Sequence, residues 1–252
     1  MTSINTINFL NEKNNFLDSG FAILRNFISK SEIDKLVEEV DRVKKLANLN
    51  KYRDYHLING RISSMHNLAE YSDYYKFFIQ NSPVQDFFQS VYGDSSAKIF
   101  NSSFFAKPRY DGLETKAHQD NAYFCMEPPE IMTCWFPVDF SDSRNGTLYY
   151  YSKSNVMGDI PHIAEGNLGA SMCIDSANIN NVAKKFERYE IILSKGDCVV
   201  HNPLVVHGSE ANLSEYDRRA FNFSIASSKA QRIEESYQSY KNKVQDFLIK
   251  QK

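Results

Sequence analysis

His118 and Asp120 stand two residues apart in the run KAHQDNAYF, residues 116–124. On a β-strand, residues i and i+2 face the same side. The spacing therefore aims an imidazole and a carboxylate at one point. A borderline nitrogen donor beside a hard oxygen donor suits a divalent first-row metal. One more imidazole completes the two-His-one-carboxylate set of non-haem iron(II) sites, which keeps positions open for reactants. The pair alone is a weak signal, because His–Asp neighbours also make surface salt bridges and turns.

Two further imidazoles lie downstream in GDCVVHNPLVVHGS, residues 196–209. His201 precedes Asn202-Pro203 and is expected at a turn. His207 ends an apolar, strand-like run and precedes Gly208-Ser209. Arg218 follows His207 by eleven positions, and a guanidinium can grip a carboxylate with two parallel hydrogen bonds. A metal triad beside a carboxylate anchor describes an enzyme that chelates a 2-oxo acid at iron. Spacing alone leaves His201 and His207 both open as the distal ligand.

These residues carry a resemblance. His118-Gln119-Asp120, Asn145-Gly146-Thr147-Leu148, His207-Gly208-Ser209 with Arg218, and the opening segment Ser19–Ser29 fall in the order and spacing of one family. The chain resembles the phytanoyl-CoA dioxygenase family of Fe(II)/2-oxoglutarate-dependent oxygenases, from about residue 8 to about residue 226. The resemblance makes His207 the distal ligand, since His201 would put Asn212 at the arginine position. His118, Asp120 and His207 are then the metal ligands and the catalytic set. Arg218 binds the distal carboxylate of 2-oxoglutarate, and Ser209 supplies a hydroxyl that assists it. Trp135 lines the cosubstrate pocket, and Lys107 and Thr133 are further cosubstrate contacts. The implied reactants are Fe(II), 2-oxoglutarate, O₂ and a small-molecule metabolite, with a biosynthetic role by analogy. A C–H bond is hydroxylated or otherwise oxidised, and succinate and CO₂ are released. The intact Asp120 points away from halogenation.

Two departures qualify the match. Asn155 follows Ser154 where the family often has a histidine, which puts a loop anchor there in doubt. No compact basic cluster offers itself to coenzyme A phosphates, so phytanoyl-CoA itself is not the expected substrate. Two other readings use the same ligands. One is a cupin-like metalloenzyme doing isomerase or hydrolase work. The other is a non-catalytic binding protein. Arg218 discriminates against the first, since such an enzyme needs no 2-oxo acid anchor.

The elements around these residues predict a mainly β fold with flanking helices (α+β). The core expected is a double-stranded β-helix (jelly-roll, cupin-like), with N-terminal support helices and a C-terminal helix. One domain over 1–252 is expected. Its helical part spans about 1–95 and its jelly-roll about 96–226, with a C-terminal helix at about 229–250. Ile7, Leu10, Phe16 and Leu17 predict a first helix over 5–18. Ser29 or Ser31 caps a second, whose apolar residues Ile33, Leu36, Val37, Val40, Val43 and Leu46 recur at helical spacing. Asn59-Gly60 predicts a hairpin, and Tyr55, His56 and Arg61 are substrate-contact candidates at the active-site mouth. Residues 152–189 show little period and are expected to be an irregular insertion near the pocket, with His162 at its surface. Gln119 is expected to point away from the metal. Ile233, Tyr237, Val244 and Phe247 form the apolar side of the last helix.

Composition narrows the partners. A net charge of −2 gives no reason to expect nucleic acid or an anionic membrane. No run approaches the roughly 20 apolar residues of a membrane span. The four cysteines, 125, 134, 173 and 198, make no C-x-x-C and read as reduced, buried thiols. A cytoplasmic monomer or homodimer is the expectation.

Overall fold

The structure, a computed structural model, describes residues 9–48, 51–52, 54–167 and 170–250. The chain opens with α1 (Leu10–Ser19), β1 (Phe21–Leu24) and α2 (Lys30–Asn48). A hairpin of β2 (Tyr55–Ile58) and β3 (Arg61–His66) precedes α3 (Leu68–Tyr71), α4 (Asp73–Gln80) and α5 (Val84–Tyr92). Next come β4 (Lys98–Lys107), β5 (Thr115–His118), the single turn α6 (Asn121–Phe124), β6 (Met126–Glu127), β7 (Ile131–Pro137) and β8 (Leu148–Tyr151). β9 (His162–Asn167), β10 (Ala170–Ile174), α7 (Ser176–Lys185) and β11 (Arg188–Glu190) follow. The chain closes with β12 (Cys198–His201), β13 (His207–Ser209), β14 (Arg218–Ala226), β15 (Gln231–Arg232) and α8 (Glu234–Lys250).

Two antiparallel sheets form the jelly-roll. The larger has seven strands in the order β1-β12-β7-β14-β4-β3-β2, and the smaller has the order β11-β8-β13-β5. Strand alternation explains how they are used. From β14, Phe221, Phe223 and Ile225 enter a core shared with the helices, while Arg218, Ala220, Asn222 and Ser224 face inward. Between the sheets pack Trp135, Val199 and Ala220 from one side and Leu148 and Tyr150 from the other.

Helices α1 to α5 cover the outer face of the large sheet. Ser29 and Glu32 exchange backbone and side-chain hydrogen bonds, a capping box that starts α2 and makes Ser29 rather than Ser31 its cap. Ile33, Leu36, Val40 and Val43 then form one buried stripe. Asn59 and Gly60 have φ of 50° and 76°, as the tight two-residue hairpin turn requires.

Four expectations change. In α1 only Phe16 is buried, while Leu10 and Leu17 are 59% and 54% exposed; residues 5–8, with Ile7, lie outside the described residues. The large sheet is not confined to 96–226, because β1 and the β2–β3 hairpin form its two edges. Residues 152–189 hold a 3₁₀ turn, the β9–β10 hairpin, α7 and β11. α7 escapes a periodicity search because it buries a single apolar residue, Val182. Its start is nonetheless capped, by Asp175 accepting from the Asn178 amide. In α8 the half-buried side is Tyr237, Tyr240, Val244 and Phe247, and Ile233 lies outside it, exposed. No helix among the described residues is long and apolar enough to cross a membrane.

Candidate metal centre

β5 ends at His118, and Asp120 has helical backbone angles at the start of α6. The two residues therefore meet through a turn, not through strand alternation. The Asn121 amide donates to Pro203 O at 3.0 Å and ties that turn to the chain leading into β13. β13 pairs with β5 so that His207 stands opposite His118.

Backbone carbonyls set both imidazoles. His118 Nδ1 lies 2.8 Å from Lys116 O, and His207 Nδ1 lies 3.1 Å from Val205 O. A carbonyl only accepts, so each Nδ1 carries the proton and each Nε2 is left as a bare donor for a metal. Those Nε2 atoms stand 3.7 and 3.6 Å from Asp120 Oδ1. One ligand atom from each of the three residues falls within 4.8 Å of the others, a grouping that can hold a metal ion.

The second carboxylate oxygen is already occupied. Thr133 Oγ1 donates to Asp120 Oδ2 at 2.9 Å, and His201 Nε2 lies 3.1 Å from the same atom. Thr133 has spent its only proton, so Ser224 Oγ, 2.8 Å away, donates to it. By the same logic His201 donates through Nε2 and accepts the Tyr150 hydroxyl proton at Nδ1, 2.9 Å away. Oδ2 is thus clamped and Oδ1 is presented to the two imidazoles.

Charge settles the protonation of the site. Burial alone would raise the Asp120 carboxyl, but the hydrogen bond from His201 and the polar edges of the His118 and His207 imidazoles around it hold it well below the usual carboxylate range. Burial, with His118 and His201 beside it, keeps His207 neutral far below its ordinary value. A carboxylate and neutral imidazoles are the forms a metal needs.

Arg218 stands on the inner face of β14, 3% exposed. Its Nη2 donates to Gly146 O at 3.0 Å, and its guanidinium lies 5.4 Å from the Trp135 ring centre. Its Nε is enclosed and meets no acceptor in the protein. Burial lowers its pKa to about 10, which leaves it cationic at neutral pH. The Asn145-Gly146 pair explains the Nη2 contact. Asn145 closes the preceding turn through Phe140 O and the Asp142 amide. Gly146 has φ of 75°, and a Cβ there would sit 2.4 Å from Glu210 O. Only glycine lets its carbonyl approach Arg218 at that point. Gly208 is required for a different reason, since a Cβ there would sit 2.8 Å from the Thr115 carbonyl oxygen.

The remaining cosubstrate candidates fall as follows. Ser209 is buried on β13, two residues beyond His207. Trp135 joins the core between the sheets, under Arg218. Lys107 is buried, and its ammonium is held by the carbonyls of Ser209 and Glu210. Thr133 is brought to Asp120 instead.

Comparison with known proteins decides the lineage. The sequence profile of phytanoyl-CoA dioxygenase (PhyH) matches residues 16–220. The chain belongs to the phytanoyl-CoA dioxygenase family. The peroxisomal phytanoyl-CoA dioxygenase of Bos taurus is 21% identical over 257 residues, covering 96% of this chain and 75% of that protein. Among solved structures, the non-heme alpha-ketoglutarate-dependent carbocyclase SnoK from nogalamycin biosynthesis superposes with a TM-score of 0.73 at 15% identity. That match covers 91% of this chain and 89% of SnoK. EctD from S. alaskensis, solved with 2-oxoglutarate and 5-hydroxyectoine, gives 0.72 at 16% identity, over 86% and 76% of the two chains. These neighbours share the jelly-roll. Iron and 2-oxoglutarate are the family's cofactors, and His118, Asp120 and His207 form a grouping that can hold a metal ion.

Within this family frame, the sequence reading missed several supporting residues. His201 is not at a turn; it ends β12, in register with Thr133 and Phe21. Its signal was alternation, since Val199 and His201 share the inner face. His162 is buried, not superficial. Its Nδ1 donates to Ile160 O at 2.6 Å and its Nε2 accepts the Gln119 amide at 2.9 Å. Gln119 does point away from the metal, and its carboxamide bonds Gly158 O, Leu204 O and the Ile160 amide. Ser154 anchors its loop without the missing histidine, by accepting the Val206 amide at 2.8 Å. Tyr55 packs against the helix-side core. His56 pairs with Ser64 across the hairpin, and Arg61 is exposed beside its turn.

Proposed function

We propose that this chain is an iron(II)- and 2-oxoglutarate-dependent oxygenase that oxidises a C–H bond of a small molecule. One oxygen atom of O₂ enters the substrate and the other enters succinate, with loss of CO₂ from 2-oxoglutarate. The observation that carries this reading is the buried Arg218 fork on the inner face, with one N–H that meets no protein acceptor.

The donor set fits iron. His118 Nε2, His207 Nε2 and Asp120 Oδ1 would hold it, and three protein donors leave positions for reactants. O₂ is the oxidant, and iron and the 2-oxo acid, when bound, would activate it, the 2-oxo acid giving up two electrons as CO₂ is lost. The chain's own work is binding and orientation. Arg218 grips the distal carboxylate through its fork, with Trp135 fixing the guanidinium plane and Ser209 adding a hydroxyl. Thr133 and His201 keep Asp120 from rotating. The apolar contacts between the sheets keep water from the reacting atoms.

The test is spectroscopic. Fe(II) and 2-oxoglutarate are added to the metal-free protein without oxygen, and the weak visible charge-transfer band of the chelate is recorded. The band is expected in the parent and in His201→Ala. It is expected to vanish in His207→Ala and to need at least tenfold more 2-oxoglutarate in Arg218→Ala. Bound metal without a band in the parent would sink the reading. Loss in His201→Ala with retention in His207→Ala would reassign the ligand.

A further inference from the structure

The large sheet turns a polar wall toward the metal centre. Thr133 pairs with Ser224, and Ser224 with Asn101. The next inward row runs Trp135, Asn222, Ser103 and His66. Residues paired in register face the same side of a sheet. Asn101 and Asn222 are therefore diagonal neighbours on the face that carries Thr133 and its bond to Asp120. Two strand spacings, about 10 Å, separate Asn101 from the strand of Thr133.

Three features set this wall apart from a packed core. The carboxamide oxygens of Asn101 and Asn222 are enclosed and accept no hydrogen bond within the protein. A buried acceptor without a donor costs stability until a donor reaches it. Asn101, Asn222 and His66 are also only half-buried, although they lie on the inner face. Part of each of these side chains stays accessible. The wall is also uncharged. His66 meets Ser103 Oγ and Ser64 Oγ at 3.0 Å each. Burial pulls its pKa to about 4, so it is neutral at physiological pH. Lys107 is tied to two carbonyls, and Arg218 belongs to the 2-oxo acid.

We propose that this wall is the substrate subsite, and that it takes an uncharged polar molecule whose hydroxyl or amide groups donate to Asn101 and Asn222. The proposal rests on the oxygenase reading above. A carboxylate or phosphate would bring no donor to these oxygens and would meet only the carboxamide N–H groups beside them. Its charge would also need a buried cation, which the wall does not offer.

Trp135 is the only tryptophan in the chain and lies in register with Asn222, so its fluorescence reports occupancy of this wall. The protein, loaded with Fe(II) and 2-oxoglutarate without oxygen, is titrated with two sets of probes. One holds polyols, glycosides and N-acetylated sugars. The other holds carboxylates, phosphate monoesters and acyl-coenzyme A thioesters. Binders are expected in the uncharged set, with Kd raised tenfold or more by Asn101→Leu and by Asn222→Leu. Both variants should keep the parent's iron–2-oxoglutarate band and melting temperature; if either fails to fold, the alanine variant carries the same test. With a normal band, three outcomes overturn the proposal: tightest binding from the anionic set, no binding from the uncharged set, or unchanged Kd in both variants. Absence of the band in the parent overturns the oxygenase reading, and this proposal with it.

Discussion

The two faces of β14 are built for opposite purposes. Outward, Phe221 is fully buried, stacks on Phe136 at 5.5 Å and tilts against Phe104 at 5.2 Å. Inward, Ser224 starts a hydroxyl chain through Thr133 to Asp120, and Arg218 keeps an unpartnered N–H. The outer face gains free energy from burial and dispersion. The inner face gives up apolar packing for hydrogen-bonding groups that must hold their geometry. The strand is paired on both edges, with a register shift against β4 between Ser224 and Ile225. Stability and chemistry are therefore separable by residue parity along one strand.

The sharpest way to break that comparison is to damage each face alone. Asp120→Ala is expected to take iron binding and turnover to background, read by metal content and succinate release. Its melting temperature should move little, because the loss falls on the inner side. Phe221→Ala should do the reverse. It is expected to cost about 3–5 kcal/mol in denaturant unfolding. The molecules that remain folded should keep the parent's iron–2-oxoglutarate band. A Phe221→Ala protein of full stability, or one that binds no metal while folded, would end the separation.

Intermediate effects sharpen it. His201→Gln and Thr133→Val each release one hold on Asp120 Oδ2 while leaving Oδ1 and both imidazoles. Loss of such a supporting contact is expected to weaken iron affinity about 10- to 100-fold, measured by competition with a chelator. An unchanged affinity in both would mean the clamp is ornamental.

His118 and Asp120 stood out by their close spacing, whereas His207 and Arg218 stood out through the family resemblance. The elements carrying them were legible where apolar residues recur, as in α2. What stayed hidden depends on long-range pairing. His201 was read as a turn residue because Asn202-Pro203 follows it. In the fold β12 runs through His201, and the turn begins one residue later, with the Asn202 amide bonded to Gly20 O. Its partners Asp120 and Tyr150 come from elements far away in sequence. Asp120 does come beside His118, but a turn and not the strand delivers it. Asn101 and Asn222 match no motif in the sequence, and only the strand register makes them diagonal neighbours. The segment 152–189 was opaque because its helix carries one buried apolar residue and its ties are polar, through His162, Gln119 and Ser154.

Those polar ties have a pH signature. Burial pulls His162 and His66 to about 4 in the folded protein, against an ordinary 6.5. The unfolded chain takes up their protons first, so stability is complete above about pH 6.5 and falls as pH drops from 6.5 toward 4. Below the folded values this contribution levels off. His162→Asn should make urea-unfolding free energy depend less steeply on pH across that window. An equally steep dependence would show that His162 is not held neutral by burial.

The smallest effect tests the comparison at its narrowest point. Arg218 and Arg219 are adjacent, and strand alternation sends them to opposite faces. The Arg219 guanidinium meets Asp139 with two hydrogen bonds, Nε to Oδ2 at 2.9 Å and Nη2 to Oδ1 at 2.7 Å. Its side chain is 41% exposed, so solvent screens the pair. Arg219→Ala is expected to cost up to about 1 kcal/mol, the range for exposed pairs. It should leave the 2-oxoglutarate requirement unchanged, whereas Arg218→Ala raises it with little loss of stability. Equal effects of the two variants on that requirement would mean that parity along β14 does not divide anchoring from packing.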